Sequence, residues 1–182
     1  MAVERVRERL LRATGALRRA GVPYAVIGGN AVAVWVASVD VEAVRNTKDV
    51  DILLRREDLP RAIEAMRQAD FELTDVAGVP MFLDRTAPNP RSAVHIVFSG
   101  ERVFPHNAHP APQPTQTSPS PDGFITINLL ELLIMKLQAF RDIDRVHVRD
   151  LMAVGLVDDA LIEGLPHDLR GRFEQLRAAP DG

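Results

Sequence analysis

The sequence predicts an α+β fold, a sheet flanked by helices with a helical C-terminal segment. Three observations carry this. Short runs rich in β-branched and aromatic residues, at 24–27, 50–54, 93–98 and 124–127, read as strands. Stretches with apolar residues at helical spacing lie between them, as at 2–20 and 56–69. Beyond 128 the pattern is helical throughout. The expected organisation is a core over 1–127, carrying a proline-rich loop at 104–122, with a helical part over 128–182 packed on it.

In chain order, Val6, Leu10, Ala13 and Leu17 give the first helix an apolar stripe, and Gly21-Val22-Pro23 ends it. Its other face carries Arg5, Arg7, Arg9, Arg12, Arg18 and Arg19, a basic surface for RNA or simply a solvated one. Tyr24-Ala25-Val26-Ile27 is a strand bounded by Pro23 and Gly28. A helix follows Gly28-Gly29, and a second strand follows Asp49. Asp58 is the expected N-cap of the next helix, with Pro60 early in it. Strands are expected at 71–74 and 81–83. Residues 104–122 hold most of the prolines and read as an irregular loop. His106 and His109 lie there, with no second cluster to support a metal site. Asn128 and Glu131 have capping-box spacing ahead of an almost wholly apolar helix containing Lys136. Helices are expected over 145–157, with Val146 and Leu151 inside, then from about 156, and over 166–176.

The chain has 182 residues, 46% of them hydrophobic, enough to bury a core. A net charge of −3 gives no global field for nucleic acid. The absence of cysteine excludes disulfides, thiol catalysis and thiolate metal sites. Charge from Glu4 onward argues against a signal peptide, and no apolar run is long enough to span a bilayer. The expectation is a cytoplasmic protein without a membrane partner.

The most informative stretch is 28–54. Paired glycines after a strand let the backbone turn sharply and a ligand approach closely. The helix that follows presents free N–H groups, which attract phosphate. Asp49 and Asp51 lie two apart at a strand, so they share a face with Cα atoms roughly 7 Å apart. Two such carboxylates repel unless one is protonated or a cation lies between them. Mg²⁺ takes one or two carboxylates and shares its shell with phosphates. Together these features imply a metal–nucleotide site.

Gly28-Gly29-Asn30-Ala31, followed by Arg45-x-Thr47-x-Asp49-Val50-Asp51-Ile52, resembles the polymerase-β-like nucleotidyltransferase superfamily, most closely its abortive-infection (AbiEii-type) and minimal branch. The resemblance spans about 21–157 and implies a mixed sheet flanked by helices. It also implies phosphate binding by Gly28, Gly29 and Asn30, nucleotide contacts from Thr47, and Mg²⁺ (or Mn²⁺) on Asp49 and Asp51. Asn30 replaces the commoner Ser or Thr and would donate through its amide. In the family a lysine in the later apolar helix and a following basic–Asp pair serve the nucleotide, which implies Lys136 and Asp150, with Arg149 in place of lysine. A third carboxylate often stands on the later buried strand; here that place belongs to His95, able to act as a base but a poor Mg²⁺ ligand. Glu101 and Asp84 are the candidate substitutes. The implied reaction moves a nucleotidyl group from an NTP to a hydroxyl. The acceptor is an RNA 3′ end, tRNA included, or a protein, as in a toxin with a partner antitoxin. A small-molecule antibiotic is the rival acceptor, although no acidic pocket is evident and the chain is short for that group. A degenerate protein that only binds nucleotide or a partner is the non-enzymatic rival.

Overall fold

A computed structural model describes residues 2–76 and 78–179. One seven-stranded sheet organises them, in the order β3-β4-β5-β2-β1-β7-β6. Its centre is β2 (Val50–Leu54), antiparallel to β1 (Tyr24–Ile27) on one side and parallel to β5 (Val94–Phe98) on the other. Beyond β5 lies the hairpin of β4 (Val79–Asp84) and β3 (Phe71–Val76); beyond β1, parallel to it, comes β7 (Ile125–Ile127), then β6 (Thr117–Pro119). The sheet is therefore mixed.

Helices cover both faces, which is why β1 is buried along its whole length instead of alternating. On one face, α1 (Ala2–Arg19) and α3 (Leu59–Arg67) pack on Val50, Ile52, Leu54 and Phe98. On the other, α2 (Gly28–Ala37), α4 (Leu129–Ala139) and α5 (Asp142–Ala153) share a core with Ile27, Leu53 and Ile127. The short α6 (Asp159–Glu163) and α7 (His167–Ala178) join α4 and α5 around Leu133, Leu137, Val148 and Phe173. Alternation along β2 thus assigns Asp51, with Leu53, to the face of α2, α4 and α5.

Several local expectations are corrected. The proline-rich segment is not irregular throughout: Thr117–Pro119 forms β6, an edge strand, where the missing N–H of proline is tolerated. The loop ahead of it is pinned. Buried Asn107 donates from Nδ2 to the Gln138 carbonyl (3.2 Å), and His109 Nε2 lies 3.0 Å from Asp168 on α7. Asp58 does not cap α3 through its side chain, because its carboxylate pairs with Arg55 (2.7 Å). Asn128 does cap α4, accepting from the Glu131 N–H at 2.9 Å. The reciprocal half of the box is replaced: Asn128 N–H goes to the Gln116 carbonyl, and Glu131 accepts from the Gln116 amide (2.8 Å). α5 begins at Asp142 and ends at Ala153, three residues earlier at its start than expected and four at its end. Asp144 accepts from the Arg141 N–H at 3.3 Å and so starts the helix early. Its buried face is then Asp144, His147, Val148 and Leu151, with Val146 only half-buried. The basic face of α1 is partly consumed internally, by Arg7 with Asp122, Arg12 with Asp84, and Arg18 with the Gly123 carbonyl.

Candidate active site

The β1–α2 turn is the foundation. Ile27 is still extended; Gly28 then adopts φ +68°, a left-handed conformation that favours glycine, and α2 begins with no side chain capping its N–H groups. Ile27 and Asp51 are direct partners across β1 and β2, so the Asp51 carboxylate rises beside the turn. It fills the space that a side chain at 28 would take. A Cβ there would collide with Oδ2 of Asp51 and lie 3.0 Å from its Cγ. A Cβ on Gly29 would meet Oγ1 of Thr47 at 2.7 Å and Cε1 of His147 at 3.6 Å. Gly28 is favoured by its left-handed backbone, both glycines are crowded by neighbouring side chains, and the structure brings Gly28, Gly29, Thr47 and Asp51 together.

Asn30 donates from Nδ2 to the Asp49 carbonyl at 2.7 Å. Its amide thus ties the turn to the entrance of β2 through one of its two N–H donors. Asp49 is exposed, just before β2, and its charge acts on both His95 and Arg9.

His95 is the β5 partner of Asp51, its Nδ1 3.3 Å from Oδ1. The hydrogen bond to Asp51 raises its pKa most; burial opposes this, and the charges of Asp51 and Asp49 add to the rise. Of the two candidate stand-in acids, Glu101 lines the same cleft but is held by Arg56 at 2.6 Å and 2.8 Å. Asp84 is bound to Arg12 and Thr86, away from the cleft.

The cleft, about 590 Å³, runs from Gly28, Asp51 and His95 to Lys136, Arg141 and Asp144. Lys136 neither snorkels nor lies bare: its Nζ is 2.9 Å from Asp144, and both groups are buried. Arg141 binds the same carboxylate at 2.7 Å, leaving one acid between two cations. Burial alone would raise the pKa of Asp144, but its bonds and charge interactions with Arg141 and Lys136 bring the net shift downward. Farther out, Arg56 stacks over Phe98 (3.8 Å) and Arg141 over Phe104 (5.2 Å). Asp150 does not line the cleft; it pairs with Arg45 at 2.7 Å.

His147 has no apolar-pattern signal in the sequence, although Asp144-x-x-His147-x-x-Asp150 places three polar groups three residues apart along one helix. It is 8% exposed, and its Nδ1 has no hydrogen-bond partner. Burial foremost, then the charge of Lys136, lowers its pKa to about 4, against the opposing pull of Asp144 and Asp150.

No family model matches the chain, and no curated protein matches it. Solved structures do match over nearly the whole length. An antigenic nucleotidyltransferase-like protein from Paracoccidioides brasiliensis aligns at a TM-score of 0.64 with 16% identity, covering 100% of this chain and 91% of that one. The antibiotic-resistance factor ANT(2'')-Ia, solved in solution, aligns at 0.60 with 13% identity, covering 98% and 96%. The same factor in complex with adenylyl-2''-tobramycin aligns at 0.50 with 14% identity, covering 97% of each chain. The chain has the nucleotidyltransferase-like fold. The length argument against an antibiotic-modifying enzyme is thereby overturned, since one such factor is nearly the same size.

For the divalent metal expected on Asp49 and Asp51, Asp51 lines the cleft beside the glycine turn, whereas Asp49 is exposed ahead of β2 and is not among the residues lining the cleft. Among the described residues no three His, Asp or Glu side chains converge on a point. The chain offers the Asp51 carboxylate beside the glycine turn and the Asp49 carboxylate two residues before it. Two is the number Mg²⁺ accepts when substrate phosphates complete its shell.

Proposed function

We propose that the protein transfers a nucleotidyl group from an NTP to a hydroxyl acceptor. The observation that carries this is the placement of Asp51 Oδ2 in the space above Gly28. A carboxylate held against an uncapped helix start is repelled by any anion there unless a cation joins them. That is the arrangement a metal-bound triphosphate needs.

Gly28 and Gly29 would bind the triphosphate through their N–H groups. Asp51 and Asp49 would hold Mg²⁺ or Mn²⁺, which when bound neutralises charge on the reacting phosphate and the departing pyrophosphate. Lys136 and Arg141 carry one net positive charge beyond Asp144 into the cleft, suited to the outer phosphates. In its neutral form His95 donates Nδ1–H to Asp51 Oδ1. A backbone hydrogen bond to Pro90 holds the ring as well, so His95 would have to release that contact before its second nitrogen could take a proton from the attacking hydroxyl. The two oxygens of Asp51 thus have separate duties, one orienting His95 and one facing the turn.

For the acceptor, an RNA 3′ end or protein hydroxyl is favoured by the outer cleft. Arg56 on Phe98 and Arg141 on Phe104 offer flat surfaces for stacking groups, each guanidinium being already paired with an acid, Glu101 and Asp144. A polycationic antibiotic would meet few free acids there, because Glu101 and Asp144 are already paired. The second reading, an antibiotic acceptor, is supported by the likeness in fold and length to ANT(2'')-Ia.

The test is incubation of the full chain with each α-³²P-labelled NTP, Mg²⁺, and either total RNA or aminoglycosides, with an EDTA control. Metal-dependent labelling that disappears in both Asp51→Asn and Asp49→Asn is the expected result. Labelling that persists in both variants rejects the assignment.

A further inference from the structure

We infer that His147 is a phosphate-binding residue, donating a hydrogen bond from Nδ1 to a nucleotide seated on the Gly28-Gly29 turn. The inference rests on the nucleotidyltransferase reading and adds to it a group from α5. Two independent observations meet at this point. The start of α2 is uncapped and sharply turned, with Asp51 and Thr47 crowding the glycines at 28 and 29. Against Gly29 stands an imidazole that is 8% exposed, with Cε1 3.6 Å from the place a Cβ would occupy and Nδ1 without a partner.

A buried polar atom left unsatisfied costs about 1–3 kcal/mol, so such an atom persists where a ligand uses it. The surroundings identify the ligand's charge. Lys136 on α4 and Arg141 ahead of α5 disfavour a proton on the ring, while Asp144 and Asp150 on α5 favour one. Burial decides the balance, and the free protein holds His147 neutral. A neutral imidazole can carry its one proton on Nδ1 and offer it to an oxygen anion. A phosphate arriving at Gly29 supplies that oxygen, and its negative charge makes the ring easier to protonate. Lys136 and Arg141 line the adjoining cleft, which Gly28 shares. No bond is made or broken; the contact positions the nucleotide.

The experiment uses the full chain with ¹⁵N-labelled histidine and each of the four NTPs as its α,β-methylene analogue with Mg²⁺, which bind without turnover. Ring ¹⁵N spectra of the wild type should show His147 Nδ1 shifting on saturation. Calorimetric titration should give about tenfold weaker binding for His147→Leu, and binding within about threefold of wild type for His147→Gln, which restores an N–H donor. If an analogue binds while the His147 ring signals stay fixed, the inference is overturned and the nucleotidyltransferase reading survives. Equal affinity in His147→Leu and wild type overturns it in the same way. If no analogue binds the wild type, both fall. Should His147→Leu fail to fold, the wild-type spectra decide the matter alone.

Discussion

His95 and Asp51 face one another across the parallel ladder of β2 and β5, with Nδ1 3.3 Å from Oδ1. An aspartate at 95 would face the Asp51 carboxylate across the same register. Like charges so close destabilise the free protein and favour a bridging cation. His95→Asp should therefore lower Tm by several degrees without metal and respond to Mg²⁺ with a larger upward shift than wild type. Thermal unfolding across a Mg²⁺ series checks this. No Mg²⁺-dependent shift in either protein would refute a cation site at Asp51.

Gly28→Ala introduces two faults at once. The new Cβ lands on the Asp51 carboxylate, and φ at +68° strains any L side chain. The strain alone costs about 1–2 kcal/mol. The larger effect falls on activity, since the carboxylate must leave its place beside the turn. Expected outcomes are a modest loss of Tm and a loss of transfer of more than tenfold, read from labelled product per unit of folded enzyme. Activity within twofold of wild type would mean that Asp51 does not work from this position.

Asp144 offers a sharper test of the buried charges. It is 1% exposed and serves both Lys136 and Arg141. Asp144→Asn leaves two cations facing a neutral amide, and breaking a buried pair this way costs about 3–5 kcal/mol. Lys136→Met removes one cation and leaves Asp144 with Arg141, so its cost should be clearly smaller. Urea unfolding of the two variants gives the order directly. If Lys136→Met proves the more damaging, the lysine is held by something other than this carboxylate.

The sequence carried the central strands, the glycine turn and the Asp49–Asp51 spacing because each is a local signal. A run such as Ala93–Phe98 buries itself wherever it is placed, and Gly-Gly after a strand constrains the backbone within a few residues. What stayed hidden depends on partners far along the chain. The 117–119 segment becomes a strand only because β7 offers it an edge. Lys136 looked isolated in an apolar helix because its counter-charge, Asp144, belongs to the next helix and becomes buried with it. His147 carries no local signal because the apolar pattern starts the helix at Arg145 with Val146 inward, whereas α5 starts at Asp142 and turns His147 inward with Val146 half-buried. The pairing of Asp150 with Arg45 likewise spans 105 residues, beyond any local pattern.

His147 should also leave a signature in stability against pH. Its folded pKa is about 4, while an unfolded histidine titrates near 6.5. Between these values the unfolded chain binds a proton that the native state refuses. The contribution is therefore complete above about pH 6.5 and lost as pH falls toward 4, up to about 3 kcal/mol in all. His95 has the opposite sign: its raised pKa favours the folded state below about 6.5 and fades as pH rises through the folded value. It cannot produce a loss on acidification. Asp144, Glu101 and Asp84 have lowered pKa values, so their losses set in as pH falls into the ordinary carboxylate range and continue below it. Urea unfolding at pH 7, 6 and 5 isolates the window in which histidine dominates. Wild type should lose stability steadily across it, and His147→Leu should show a flatter profile. Parallel profiles would mean that the native protein lets this ring take up its proton freely.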